Sequence, residues 1–288
     1  MAKSKSNNIS VLAGMKVGNV RYYSRNGKTF SRSATTSHMT NNRTIEQTVN
    51  RLRFNSVRCL WTPLKEVLAA TFEYQETGHS GYTAFMRLNH GNGVFLTKRE
   101  QQDRVQIITP VHISEGTLTP IMQLMNGDRQ VVTDIALGQL AITPQTTIAD
   151  FSKAVTTHNL IDFDDEIVFV AVEQLFGDTP RCTASACSIK LDRADSRPMQ
   201  MVCGTAAFAV KDGYLSSEAG LADGCYAFYR ASICNGVRQV SSQTLLNNNG
   251  DAIGQYLSRE KFDEARASYG EFSDDFLSPS QFKTPTFS

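Results

Sequence analysis

The side chains able to do acid–base, nucleophilic or metal chemistry are few and scattered along these 288 residues. Five histidines, His38, His79, His90, His112 and His158, form neither HExxH nor any other ligand spacing. His79 and His90 lie in polar, glycine-rich stretches that read as loops, and His112 lies in an apolar run that reads as structural. Six cysteines, Cys59, Cys182, Cys187, Cys203, Cys225 and Cys234, sit mostly in apolar segments and form no paired CxxC motif. Reduced, buried thiols are therefore expected, and zinc is not. A nucleophilic role for Cys182 or Cys187 would need a neighbouring histidine and a lowered pKa, and the sequence supplies neither. Asp162, Asp164, Asp165 and Glu166 cluster ahead of a β-prone run. Such carboxylates could hold a divalent cation or act on a glycan, but the remaining ligand pattern is missing and a solvated loop is expected. Neither a G-x-S-x-G elbow nor a G-x-x-x-x-G-K-[ST] phosphate loop occurs. The expectation is a non-enzymatic protein with no cofactor and no metal.

What remains is charge and aromaticity. Residues 1 to 60 carry eleven Lys or Arg against one acid, Glu46, whereas the following 228 residues carry 18 basic and 27 acidic side chains. The formal net charge of +1 hides this asymmetry. A basic end and an acidic remainder attract each other, so the arm can dock on its own chain, on a second copy or on nucleic acid. Arg21, Arg25, Lys28 and Arg32 interleave with Tyr22, Tyr23 and Phe30, as in a surface that tracks phosphates and stacks bases. Arg43, Arg51, Arg53 and Arg58 extend the positive field. At the other end, Phe272, Phe276, Phe282 and Phe287 fall within residues 271–288. Solvated disorder is poor in aromatics, so these four read as anchors for a neighbouring surface.

The elements that must position these residues follow from periodicity and turn chemistry. Residues 17–34 form two β-prone runs around Asn26-Gly27, a hairpin signature. A helix is predicted from Arg43 to about Leu60, with Thr44 and Gln47 spaced as a capping box, and a second from Thr62-Pro63 through Phe72. Trp61, the single tryptophan, is expected to anchor that corner. Strands are predicted over 104–113, 131–142, 166–176, 181–191, 199–210, 225–234 and 237–246, the last two joined by Asn235-Gly236. A short helix capped by Thr147 and Asp150, and another from Ser258 to Tyr269 stopped by Gly270, complete the reading.

With 41% hydrophobic and 20% charged residues, the chain has the composition of a globular protein. It contains no run of about 18 apolar residues that would span a membrane, and its start lacks the apolar core of a secretory signal. The fold expected is mainly β with some α. A β-sandwich body, immunoglobulin-like or Greek-key, is preceded by a hairpin and helices and followed by a helix and tail. The segments are 1–75, 76–246 (one sandwich or two small ones) and 247–288.

The motif Gly14-Met-Lys-Val-Gly-Asn-Val-Arg-Tyr-Tyr-Ser-Arg-Asn-Gly-Lys-Thr-Phe-Ser-Arg-Ser, followed by Asn42-Arg-Thr-Ile-Glu-Gln-Thr-Val-Asn-Arg-Leu-Arg-Phe, resembles an uncharacterised domain family of Bacteroidetes bacteria and their mobile elements. Gly81-Tyr-Thr-Ala-Phe-Met-Arg-Leu-Asn, Ile113-Ser-Glu-Gly-Thr-Leu and the segment from Tyr226-Ala-Phe-Tyr to Val240-Ser-Ser-Gln add to the likeness over residues 14–245. The resemblance implies an N-terminal hairpin and helices before β-sandwich material and transfers no catalytic residue. Together these features predict a structural protein of a bacteriophage virion (tail, connector ring or head-associated), assembled in the host cytoplasm. Its expected partners are itself and other virion proteins, with nucleic acid as the alternative.

Overall fold

The structure, a computed structural model, describes residues 16–17, 20–25, 28–33, 45–73, 80–203, 207–248 and 251–269. Its first elements are β1 (Lys16–Val17), β2 (Val20–Arg25), β3 (Lys28–Ser33), α1 (Ile45–Leu64), α2 (Gly81–Asn89) and α3 (Lys98–Gln102). There follow β4 (His112–Ser114), β5 (Gln123–Met125), β6 (Val131–Ala136), α4 (Ile148–His158), β7 (Glu166–Leu175), β8 (Arg181–Lys190) and α5 (Met199–Cys203). The chain continues through β9 (Ala209–Lys211), β10 (Tyr214–Ser216), β11 (Gly224–Cys234), β12 (Val237–Val240), β13 (Gln243–Thr244), β14 (Leu246–Asn247), α6 (Asp251–Gln255) and α7 (Arg259–Ser268). Two compact units result: residues 1–43 with 76–78, and residues 44–75 with 79–288. The first contains the three-stranded β1-β2-β3 sheet. The mainly-β fold with accompanying helices is as the sequence leads one to expect.

The second unit is organised on an antiparallel sheet in the order β12-β11-β7-β8, with β14 also paired to β11. Its central strands read Ile-Val-Phe-Val-Ala-Val and Cys-Tyr-Ala-Phe-Tyr because both of their faces are covered, and period-two alternation sends successive side chains into different cores. Val168, Val170, Val172, Ala227 and Tyr229 pack with Leu60 and Leu64 of α1, Phe85 of α2, and Ile108, Val111 and Ile113. Ile167, Phe169, Tyr226 and Phe228 instead meet Val131 and Ile135 of β6, Leu215 of β10 and Phe151 of α4. The sheet β5-β6-β10-β9 thus lies against one face, and helices close the other. A third cluster, Val94, Leu96, Val105 and Ile107 with Tyr256, seats the C-terminal helices. There Phe95 meets Phe262 of α7 and Tyr269, its C-cap, at ring separations of 5.2 and 5.7 Å.

Local signals hold where the chain can act on them alone. Thr147 and Asp150 form the expected reciprocal cap of α4, and Ser258 caps α7 by accepting from the Lys261 N–H at 3.1 Å. Asn235 and Gly236 turn the β11–β12 hairpin with φ of +52° and +75°, the left-handed pair that a two-residue turn needs. Thr44 and Gly270, the other helix-end residues singled out, lie outside the described residues.

Four expectations are corrected. No second helix starts at Thr62-Pro63; α1 runs through Pro63 to Leu64. Proline lacks the N–H that would reach the Cys59 carbonyl, and Gln106 Nε2 donates there at 3.1 Å instead. The apolar run 104–113 is strand only from His112, because side-chain amides take over its backbone groups. Gln174 Oε1 accepts from Ile108 N–H at 2.9 Å, and Asn89 Oδ1 accepts from His112 N–H at 2.7 Å. The 131–142 strand stops at Ala136, whose N–H and carbonyl are both held by the Asn159 side chain. Residues 199–210 divide into α5 and β9, since Pro198 favours a helix start at Met199.

Candidate functional site

The basic and aromatic residues of the N-terminal unit converge. β2 and β3 pair antiparallel in the register Arg21↔Arg32, Tyr23↔Phe30 and Arg25↔Lys28, leaving two residues, Asn26-Gly27, to connect them. Because a strand alternates faces, positions 21, 23, 25, 28, 30 and 32 all belong to one face of this ribbon. Arg21, Tyr23, Phe30 and Arg32 are exposed. The Tyr23 and Phe30 rings stack at 5.6 Å, and the Arg32 guanidinium lies 5.9 Å from the centre of Tyr23. Two guanidiniums directly opposite repel each other, so an anion placed between them relieves that cost. Side-chain contacts of Arg25 and Lys28, and residues Phe272, Phe276, Phe282 and Phe287 altogether, lie outside the described residues.

The second unit exposes apolar side chains at strand ends. β5 terminates its sheet, and Met122 and Leu124, two positions apart, are 70% and 58% exposed. At the tip of the β11–β12 hairpin Ile233 and Val237 are 63% and 64% exposed. Sequence reasoning found the hairpin but not these apolar tips, because alternation alone does not say which face a neighbouring sheet will cover.

The other chemical candidates are used structurally. Asp165 is no solvated loop residue: it is 2% exposed and accepts from Arg230 Nε at 2.8 Å. Glu166 pairs with Arg238 at 2.8 Å and Asp164 with Lys190 at 2.9 Å, so the acidic cluster is divided among three cations. Removing one partner of the buried Asp165–Arg230 pair would leave the other charge stranded. Cys187 and Cys203 form a disulfide joining β8 to α5, with their Cα atoms 5.3 Å apart, which corrects the expectation of reduced thiols at these two positions. Burial pushes the Cys182 thiol up to about 12, the opposite of what a nucleophile requires. His112 Nδ1 lies 2.8 Å from the Thr244 hydroxyl, and His90 caps α2 with Nδ1 3.1 Å from the Arg87 carbonyl. His38 and His79 lie outside the described residues. Among the described residues no three His, Cys, Asp or Glu side chains come together as a metal-binding group, and no helix is long and apolar enough to cross a membrane. Comparison with known proteins finds no matching family model, curated protein or solved structure.

Proposed function

We propose that this chain is a non-enzymatic structural protein that assembles through its basic N-terminal arm and its Phe-rich C-terminal segment. The observation that carries this reading is the ribbon face on which Arg21 and Arg32 flank a stacked Tyr23–Phe30 pair. That face offers cation and ring surface together, and the acidic excess after residue 60 makes a second copy a complementary partner. The exposed Met122–Leu124 edge supports repeated contacts between copies, since end strands and projecting hairpins are ready templates for association. The setting proposed is a bacteriophage virion, as a tail, connector-ring or head-associated component assembled in the host cytoplasm, a reading drawn from the architecture. A second reading, nucleic-acid binding by the same ribbon, is favoured by the Arg32–Tyr23 contact.

Analytical ultracentrifugation of the full chain over a concentration and salt series tests the first reading. Oligomers are expected, and replacing Arg21, Arg25, Lys28 and Arg32 with Ser, or the four tail Phe with Ser, shifts the distribution towards monomer. Oligomers of unchanged mass in both variants would sink the proposed contacts, and a wild-type monomer at every concentration would sink self-assembly itself.

A further inference from the structure

On the helical side of the second unit, α1, α2, the end of α3 and the start of β8 enclose a groove of about 810 Å³. Three arginines line it, Arg58, Arg104 and Arg181, and no aspartate or glutamate does. None of the three is in an ion pair with a carboxylate among the described residues. Hydrogen bonds hold the side chains of Arg181 and Arg58. Arg181 donates to the carbonyls of Arg104 at 2.7 Å, Asp103 at 3.1 Å and Pro180 at 3.2 Å, which braces the turn that carries Arg104. Arg104 sits at φ +57°, a left-handed conformation unfavourable to a side-chain-bearing residue. Asn55 fixes two further groups, accepting from Arg58 Nε at 3.1 Å and donating to Gln101 Oε1 at 2.7 Å. Gln101 lines the groove with its oxygen occupied by Asn55, and its amide nitrogen is buried without a hydrogen-bond partner. The lining also includes half-buried Trp61 and Tyr82, packed edge-to-face at 5.6 Å.

The groove therefore combines unneutralised cations, an unsatisfied donor and two aromatic side chains. Its complement is a ligand rich in anionic acceptors that also carries flat rings. We propose that this groove binds single-stranded nucleic acid, with Arg58 and Arg104 on backbone phosphates and a base against Trp61 or Tyr82. An acidic peptide satisfies the cations but not the rings, and duplex bases are already stacked on one another. The site is built from residues of the second unit alone and does not depend on the assembly reading.

Trp61 is the only tryptophan of the chain, so its fluorescence reports this groove alone. Titration of the full-length protein with short oligodeoxythymidylate is expected to quench it saturably. For two phosphate contacts the affinity should fall roughly sevenfold between about 50 and about 200 mM salt. Arg58→Gln and Arg104→Gly each weaken binding roughly fivefold and flatten the salt slope by about 0.7. Both residues are exposed, and the glycine relieves the positive φ, so circular dichroism and melting are expected to match wild type. Arg181 stays in place because it holds three backbone carbonyls. The assignment is overturned if both variants bind like wild type, if polyglutamate quenches Trp61 as well as the oligonucleotide does, or if Ser at positions 21, 25, 28 and 32 alone abolishes quenching.

Discussion

Glu100 holds Lys261 Nζ at 2.8 Å while accepting from the N–H and the hydroxyl of Thr97, both at 2.8 Å. Burial alone would raise its pKa, but the hydrogen bonds from Lys261 and Thr97 outweigh that and hold it below the ordinary value of 4.5. A lowered folded-state pKa means stability that is complete above the ordinary carboxylate range and lost as the pH falls through the folded value. Glu100→Gln is expected to cost about 2 kcal/mol at neutral pH, as for a charge-assisted hydrogen bond, and to flatten the acid limb of a stability-versus-pH curve. Chemical denaturation at a series of pH values checks this; parallel curves for the two proteins would refute it. Gly93 is constrained by contact instead of charge: a Cβ there would lie 2.2 Å from the Arg53 carbonyl oxygen. Gly93→Ala must push the 91–93 loop off α1 and is expected to lower stability by about 1–3 kcal/mol in a thermal melt. An unchanged melting temperature would show that the loop yields freely. At this scale the sequence is legible in part. Asp165 looks like one of four loop acids, and only the fold reveals that Arg230, 65 residues later, neutralises it.

Among the elements, β7 and β11 were legible because their apolar runs are long and bounded by turn residues, and their ladders, shared with β8, satisfy their own backbone groups. The 104–111 segment was not, because its backbone partners include the side chains of Gln174 and Asn92 and the carbonyl of Pro180 in place of one neighbouring strand. Pro63 misled for a similar reason: its missing donor is made good by Gln106, 47 residues away from the Cys59 carbonyl it serves. Gln106→Leu orphans that carbonyl and is expected to cost about 1–3 kcal/mol. In a Pro63→Ala background, where residue 63 can supply its own N–H, the same substitution should cost less. Equal losses in both backgrounds, by urea denaturation, would disprove the compensation. The N-terminal ribbon was the most legible part of the candidate site, since only two residues separate the paired Arg25 and Lys28 and the register sets the face its cations share.

For the molecule as a whole, the sheet β12-β11-β7-β8 contributes side chains to two cores at once, so neither core can dissolve without exposing strands that the other needs. Unfolding of this unit is expected to be a single transition. Phe228→Ala, on the face away from α1 and α2, should lower the midpoint by an amount equivalent to about 3–5 kcal/mol. It should shift Trp61 fluorescence, on the opposite side, by the same amount as the far-ultraviolet circular dichroism. Separate transitions by the two probes would show that the cores are independent. The docking of α7 has a consequence for folding. Tyr269, its C-cap, is stacked on Phe95 and donates its hydroxyl to the Leu96 carbonyl at 3.1 Å, a contact across 173 positions of sequence. Closing so long a loop costs chain entropy before the contact can offset it, so α7 is expected to dock only after both cores have brought its acceptor into place.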